Sequence, residues 1–211
     1  MLEAEVVLDA PPAPGRRWRP VRVALGLPSG LVGAGLTTAV VAVAVFAETI
    51  APGDPFAIGG PSLRPPSGGH PMGTDDLGRD IFGGVVHGMR TSLLIVAGVT
   101  LLSTVVGMAI GLTAGYRAGI VDSALMRFTE FVQVVPRFFL AVVAIALFGP
   151  GTDRLVVLLG LTSWPLLARV VRAETASLRT SEFVLAAEAS GASAPRIVVR
   201  HLLPNALGPL I

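Results

Sequence analysis

The sequence predicts an all-α protein of the membrane, and three observations carry that prediction. Of its 211 residues 52% are hydrophobic and only 14% charged, with a mean hydropathy of +0.73, whereas soluble domains carry about 25% charged residues. The apolar residues are gathered into long blocks, and a helix needs about 20 of them to cross a bilayer core about 30 Å thick. There is no cysteine, so neither a disulfide framework nor a thiolate metal site can hold the fold instead.

The elements follow in chain order. Residues 1–23 are rich in Pro and Arg, lack apolar periodicity and read as a disordered tail, with Arg16, Arg17, Arg19 and Arg22 beside the membrane. The first span is expected over 24–50, where the apolar run from Leu25 to Ile50 is interrupted only by Pro28 and Glu48. A cleaved signal peptide has an apolar region of about 7–15 residues after a short basic start; this run is longer and begins later. Residues 51–90 read as a polar connector: a Pro/Gly-rich stretch, the string His70-Pro71-Met72-Gly73-Thr74-Asp75-Asp76-Leu77-Gly78-Arg79-Asp80, and a short helix from Ile81 to Met89.

The second span, Thr91 to about Tyr116, has no charge before Arg117. It carries Gly107, Gly111 and Gly115 at spacings of four, one helix face along which a second backbone can approach closely; chance in a glycine-rich chain is the competing explanation. The third span, about Phe128 to Phe148, holds Glu130, Gln133 and Arg137, with Pro136 as a kink. Glu130 and Arg137 lie two helical turns apart and so share a face. Polar groups within a span usually face the bundle interior or a water-filled path, which makes these three the pore-lining candidates. The competing arrangement puts Glu130 at the interface, with Arg137 pairing with it or snorkelling. A fourth span, about Leu155 to Ala168, contains Pro165 and runs into Arg169 and Arg172.

Arginine counts set the expected orientation. With the N-terminus in the cytoplasm, Arg16, Arg17, Arg19, Arg22, Arg117, Arg127, Arg169, Arg172, Arg179, Arg196 and Arg200 lie inside, and only Arg64, Arg79, Arg90 and Arg154 outside. Four spans then return the chain to the cytoplasm, and everything from about Ala173 onward lies there.

The segment 180–205 reads as a helix–turn–helix hairpin, too short and polar to span. Ser181 can cap a helix from Glu182 to Ser190, with Glu182 a favourable charge in its first turn and alanine its main helix former. Gly191 suits the left-handed residue that ends a helix. Ser193 can cap a second helix, Pro195 is tolerated in its first turn, and Pro204-Asn205 breaks or redirects it. A generic amphipathic linker is the plainer reading.

The order of residues sharpens this. Ala186-Ala187, then Gly191, then His201-Leu202-Leu203-Pro204 resembles the EAA loop of bacterial ABC-importer permeases, and the longer string Phe183 to Ser193 with Arg200 to Asn205 is similar to the dipeptide/oligopeptide/nickel branch. The connector string from His70 to Asp80 resembles that branch's HPLGTDxLGRD segment. The resemblance covers about Ala51 to the end. It implies a type I ABC-importer transmembrane domain with about four of the usual six spans, in which Ala186, Ala187, Gly191, Leu203 and Pro204 couple to an ATPase. Small residues there would let the helix seat deeply in a groove. It further implies a bacterial inner-membrane location, separate ATP-binding subunits, a second homologous permease and an extracytoplasmic solute-binding protein. Dipeptides, longer peptides and nickel all fit the motifs, with peptides preferred. Three departures stand out: the family's leading Glu falls at Leu185, its small residue after the third-span proline is Arg137, and two spans that normally follow the loop are not reached by Ile211. The chain is therefore expected to be C-terminally truncated, and a non-functional fragment is one alternative.

Several chemistries are disfavoured. All 16 basic residues are arginine, which excludes a Schiff base, a lysine general base and the lysine-bearing phosphate loop; any ATP must be bound by another chain. The pI is near 10.3, yet the net charge is only +2 and the arginines are scattered, unlike the clustered basic face of a nucleic-acid binder. A membrane-anchored enzyme would need a polar constellation, and no nucleophile elbow, HExxH or paired-carboxylate pattern stands out. His70 with Asp75, Asp76 and Asp80 reads as a solvated turn rather than a metal site, His87 as surface and His201 as a structural or interface residue. No cofactor is expected.

Overall fold

A computed structural model of the chain describes residues 27–206; the tail expected at 1–23 and the first residues of the expected first span lie outside them. The chain divides at Thr37/Thr38 into two units, and everything discussed below belongs to the second apart from the start of the first helix. Among the described residues no strand forms, and the elements are α1 (Pro28–Val45), α2 (Ala47–Ile50), α3 (Ile81–Arg117), α4 (Gly119–Val134), α5 (Arg137–Phe148), α6 (Thr152–Arg179), α7 (Glu182–Ala189), α8 (Ala194–Ile197) and α9 (Leu203–Ala206). The protein is all-helical, and α1, α3 and α6 are each long and apolar enough to cross a membrane.

The short helix and second span expected on either side of Arg90 are a single 37-residue helix, so the helix that begins at Ile81 does not stop at Met89. The physical reason is local: Asp80 caps the start, its carboxylate accepting from the Gly83 N–H at 2.7 Å, and no proline interrupts the backbone from Ile81 to Arg117. Arg90, the polar mark that suggested a boundary, instead reaches Glu48 at 2.9 Å. The fourth span is likewise longer than expected, running over Thr152–Arg179 through Pro165.

The expected kink at Pro136 is a break: α4 and α5 meet at 70°. Proline cannot donate to the preceding turn, and it pushes the residue before it out of helical geometry; Val135 is accordingly extended, with φ −80° and ψ 121°. Glu130 and Arg137 therefore do not share a helix face, because Arg137 opens a new helix with a different axis.

How α3 and α6 pack shows what the broken pair does. Gly98 lies against Val156, Gly107 against Trp164 and Leu167, Gly111 against Ala168 and Val171, and Gly115 against Arg172 and Thr175. Both residue series rise together, so the helices run parallel. Two parallel crossings need a return between them. From Gly98 to Gly115 is roughly 25 Å of helix at 1.5 Å per residue, and the chain must climb about that far between leaving α3 and entering α6. The broken pair α4–α5 is that return, which makes four crossings with α1.

Candidate functional site

The connector is a clip closed on itself. Thr74, almost fully buried, donates its hydroxyl to the Pro61 carbonyl at 2.8 Å and accepts from the Arg64 N–H at 2.9 Å. Asp75 forms an Asx-type turn, its carboxylate accepting from the N–H of Leu77 and of Arg79 at 2.9 and 2.8 Å, and from the Arg79 guanidinium at 2.7 Å. Gly78 has φ +75°, and a Cβ there would lie 2.1 Å from the Gly60 carbonyl oxygen, so only glycine closes this turn. His70 pairs with Asp80 at 3.1 Å. His87, expected as plain surface, instead donates from Nε2 to the Ala51 carbonyl at 2.9 Å, tying the chain after α2 to α3. Among the described residues no group of three or more His, Asp or Glu could hold a metal.

The Arg79 backbone N–H does most to hold the Asp75 carboxyl below its ordinary value, against a smaller opposing desolvation, with the Arg79 guanidinium and the Leu77 N–H adding to it. A depressed carboxylate stabilises the fold above its unfolded pKa and loses that contribution as pH falls through the folded one. The clip is thus expected to keep full amide protection at Leu77 and Arg79 above about pH 4 and to lose it on further acidification. Asp75→Asn should remove that pH dependence and lower protection at neutral pH, as read by hydrogen exchange.

At the other end of α3 and α6 sits the hairpin. Val184, Ile197, Leu202 and Ala206 are buried with Leu112 of α3 and Val171 of α6, and Met108, Tyr116, Leu167 and Leu178 pack around them. The turn is a Schellman motif: the Gly191 N–H bonds to Glu188 O at 2.9 Å, the Ala192 N–H bonds to Ala187 O at 3.0 Å, and Gly191 has φ +78°. The expected serine caps are absent. Ser181 and Ser193 have the extended backbone of cap residues but make no capping bond; the Ser181 hydroxyl turns back to the Leu178 carbonyl at 2.5 Å, closing α6 rather than opening α7.

Pro204 does not end the second helix. Val198–Leu202 widens into a π-turn, with the Leu203 N–H reaching Val198 O, and α9 continues through Pro204. An extra residue in the preceding turn relieves the clash a proline ring makes with the carbonyl four residues back. Asn205 Nδ2 also donates to the His201 carbonyl at 2.6 Å.

The five coupling candidates separate accordingly. Ala186 and Gly191 are exposed, and a Cβ on Gly191 would meet nothing within 4 Å. Ala187 and Leu203 are half-buried and pack against the hairpin's seat, and Pro204 is half-buried. Phe183, Leu185 and Val199 lie exposed beside Ala186 in sequence or on the second helix. Glu188 accepts from the Tyr116 hydroxyl at 3.1 Å, which binds α7 to the end of α3.

The polar candidates also separate. A cleft of about 340 Å³ between α4 and α6 is lined by Asp122, Ser123, Met126, Glu130, Arg169 and Arg172. Arg172 grips Asp122 with two parallel bonds of 2.5 Å, the geometry of a charge-assisted fork. Arg169 donates to the Gln133 amide oxygen. Phe128 stacks on Trp164 with ring centroids 5.8 Å apart. Arg137 is not among the lining residues. The sequence marks Arg169 and Arg172 only as charges at the end of the fourth span, and it does not single out Asp122. The available signal was helical spacing, with Asp122 and Glu130 eight residues apart on α4 and Arg169 and Arg172 three apart on α6. The three glycines of α3 meet backbone directly: a Cβ on Gly107, Gly111 or Gly115 would come within 3.1, 2.6 or 2.7 Å of the carbonyl oxygen of Trp164, Ala168 or Arg172.

Apolar helices long enough to cross a membrane, around a close parallel helix pair with a hairpin seated at one end of it, define a multi-pass membrane protein. The family model for the binding-protein-dependent transport system inner membrane component matches residues 107–211, and the chain belongs to that family. It is 34% identical over 183 residues, 86% of its length, to the dipeptide transport system permease protein DppC of Alkalihalophilus pseudofirmus, covering 60% of that protein. It is 38% identical over 184 residues, 85% of its length, to a putative peptide transport system permease protein of Brucella suis, covering 61%. To the oligopeptide transport system permease protein OppC of Bacillus subtilis it is 33% identical over 148 residues, 70% of its length, covering 48%. The chain thus spans about half to three fifths of the length of the curated relatives it matches.

Proposed function

We propose that this chain is a permease subunit of an ATP-driven importer, forming half of a pore for short peptides with a second homologous permease. Separate ATP-binding subunits drive it, and an extracytoplasmic solute-binding protein delivers the substrate. The hairpin lies in the cytoplasm, as does the N-terminus, in keeping with the arginine distribution. The observation that carries the reading is the hairpin's two-sided build. Its inner side is packed on α3 and α6, while its outer side offers Ala186, Gly191 and neighbouring apolar residues to solvent. A push on the outer side is transmitted to the two most closely packed crossings, the element a rocking mechanism needs. Peptides are preferred over nickel because the relatives above are named as peptide permeases.

The test is copurification with co-expressed ATP-binding subunits. Ala186→Trp places bulk on the exposed side without entering the core, and is expected to lower ATPase recovery about tenfold or more, the loss of a seated contact. The permease's own yield and elution should stay unchanged. Deletion of 186–191 should remove association altogether. Full ATPase recovery with both variants would overturn the coupling role.

A further inference from the structure

We infer that the cleft between α4 and α6 receives the two charged ends of a zwitterionic peptide, Glu130 taking the α-ammonium and Arg169 the α-carboxylate. This rests on the peptide-permease reading above and names the residues that would recognise the substrate.

The argument is one of unbalanced charge. Four ionisable side chains line the cleft. Asp122 and Arg172 satisfy each other through their paired bonds and leave no charge to spare. Glu130 makes no hydrogen bond or ion pair with any described residue. Arg169 is bonded only to the neutral amide of Gln133 among the described residues, so its positive charge is uncompensated. One carboxylate and one guanidinium thus face the same cleft without pairing. Glu130 and Arg169 are both exposed on the cleft wall, so each is open to a ligand that enters the cleft, and polar groups set among spans usually face a path for a polar substrate or ion. A ligand carrying both signs satisfies both groups at once, whereas a simple anion or cation leaves one of them unpaired. The cleft volume, about 340 Å³, falls within the range of about 300–1,000 Å³ usual for small-molecule sites. The Asp122–Arg172 fork closes one end of the cleft and fixes α4 to α6, so that Glu130 and Arg169 are held on opposing helices. Met126 supplies apolar surface beside them, which a side chain of either identity can occupy.

The experiment uses the complete transporter, with both permeases, ATP-binding subunits and binding protein, reconstituted in vesicles. Uptake of Ala-Ala is compared with that of N-acetyl-Ala-Ala and of Ala-Ala amide. For Glu130→Gln, uptake of the free dipeptide is expected to fall roughly tenfold, as for a lost hydrogen bond between charged groups, with the N-acetyl peptide little changed. Arg169→Gln should do the same with respect to the amide. Each ratio is taken between variant and wild type, so the binding protein's own preference cancels. Equal falls for free and blocked peptides, or no fall, would overturn the assignment while leaving the permease reading intact. Loss of the partner permease on purification of Glu130→Gln would also overturn it, showing that Glu130 serves the subunit interface. Failure of the wild-type transporter to take up any of the peptides, with ATP hydrolysis intact, would instead refute the peptide-permease reading beneath it.

Discussion

Replacing Gly111 by alanine is expected to destabilise the protein by about 1–3 kcal/mol, the range for overpacking a filled core, and replacement by leucine to prevent the native packing altogether. A methyl group at this position would lie 2.6 Å from the Ala168 carbonyl oxygen and 2.7 Å from the Val171 Cβ. One of these is backbone, and the other is the branch point of a fully buried side chain, so neither can swing aside. The only relief is to move α3 away from α6, which also opens the contacts at Gly107 and Gly115. Close approach of backbones through small residues is a main source of helix association in lipid, where no hydrophobic driving force separates helix from solvent. Gly84→Ala is the matched control. It lies on the same helix with nothing within 4 Å of the added methyl, so its effect should stay within about 0.5 kcal/mol, with a gain in helix propensity. Thermal denaturation in detergent, followed by the monodisperse fraction on size exclusion, checks both. Equal behaviour of the two variants would show that the α3–α6 approach does not hold the bundle together.

Truncating Leu202 to alanine is expected to loosen the hairpin by about 2–5 kcal/mol, the range for emptying a buried leucine site. Leu202 is fully buried among Val184, Ile197, Ala206, Leu112 and Val171, and so links both hairpin helices to both long crossings. The crossings hold each other through their glycine faces, so the effect should be confined to the hairpin. Trypsin reports it directly, since Arg196 and Arg200 are exposed on the hairpin and cleavage there depends on local opening. Cleavage should accelerate in Leu202→Ala and change little in Val199→Ala, which removes a side chain of similar type that is 62% exposed. Unchanged cleavage in Leu202→Ala would mean that the hairpin is held by its hydrogen bonds, including Glu188 to Tyr116, rather than by its core.

These two variants touch features of different legibility. The glycine spacing could be read from the sequence, but not which helix it meets. The Gly191 turn was likewise readable, because a left-handed backbone at a helix end is a local demand on one residue. The buried side of the hairpin was not readable, because Ala187 and Leu203 look like Ala186 in a motif and differ only in which way the helix faces its seat. The serine caps were misjudged for a similar reason. Both serines have the right backbone, but Ser181 finds a carbonyl of α6 at the shorter reach. The break at Pro136 was underestimated, since a proline in a span can bend it slightly or sever it, and the choice depends on whether neighbouring helices accommodate the bend. With the break, the supposed common face of Glu130 and Arg137 disappears.

What the sequence determined by itself is the all-helical membrane character, the positions of the apolar blocks, and the helix–Gly191–helix hairpin. Hydropathy over some 20 residues and the backbone preferences of glycine and proline act over short stretches of chain, and no partner is needed to express them. Only the tertiary structure decided that α3 and α6 run parallel with α4–α5 as the return between them, that Asp122 finds Arg172 fifty residues away, and that Glu130 and Arg169 are left without charged partners in one cleft. Those outcomes depend on which helices become neighbours and in what register, and that is settled by how the glycine faces and side chains interlock across the bundle, not by any local preference along the chain.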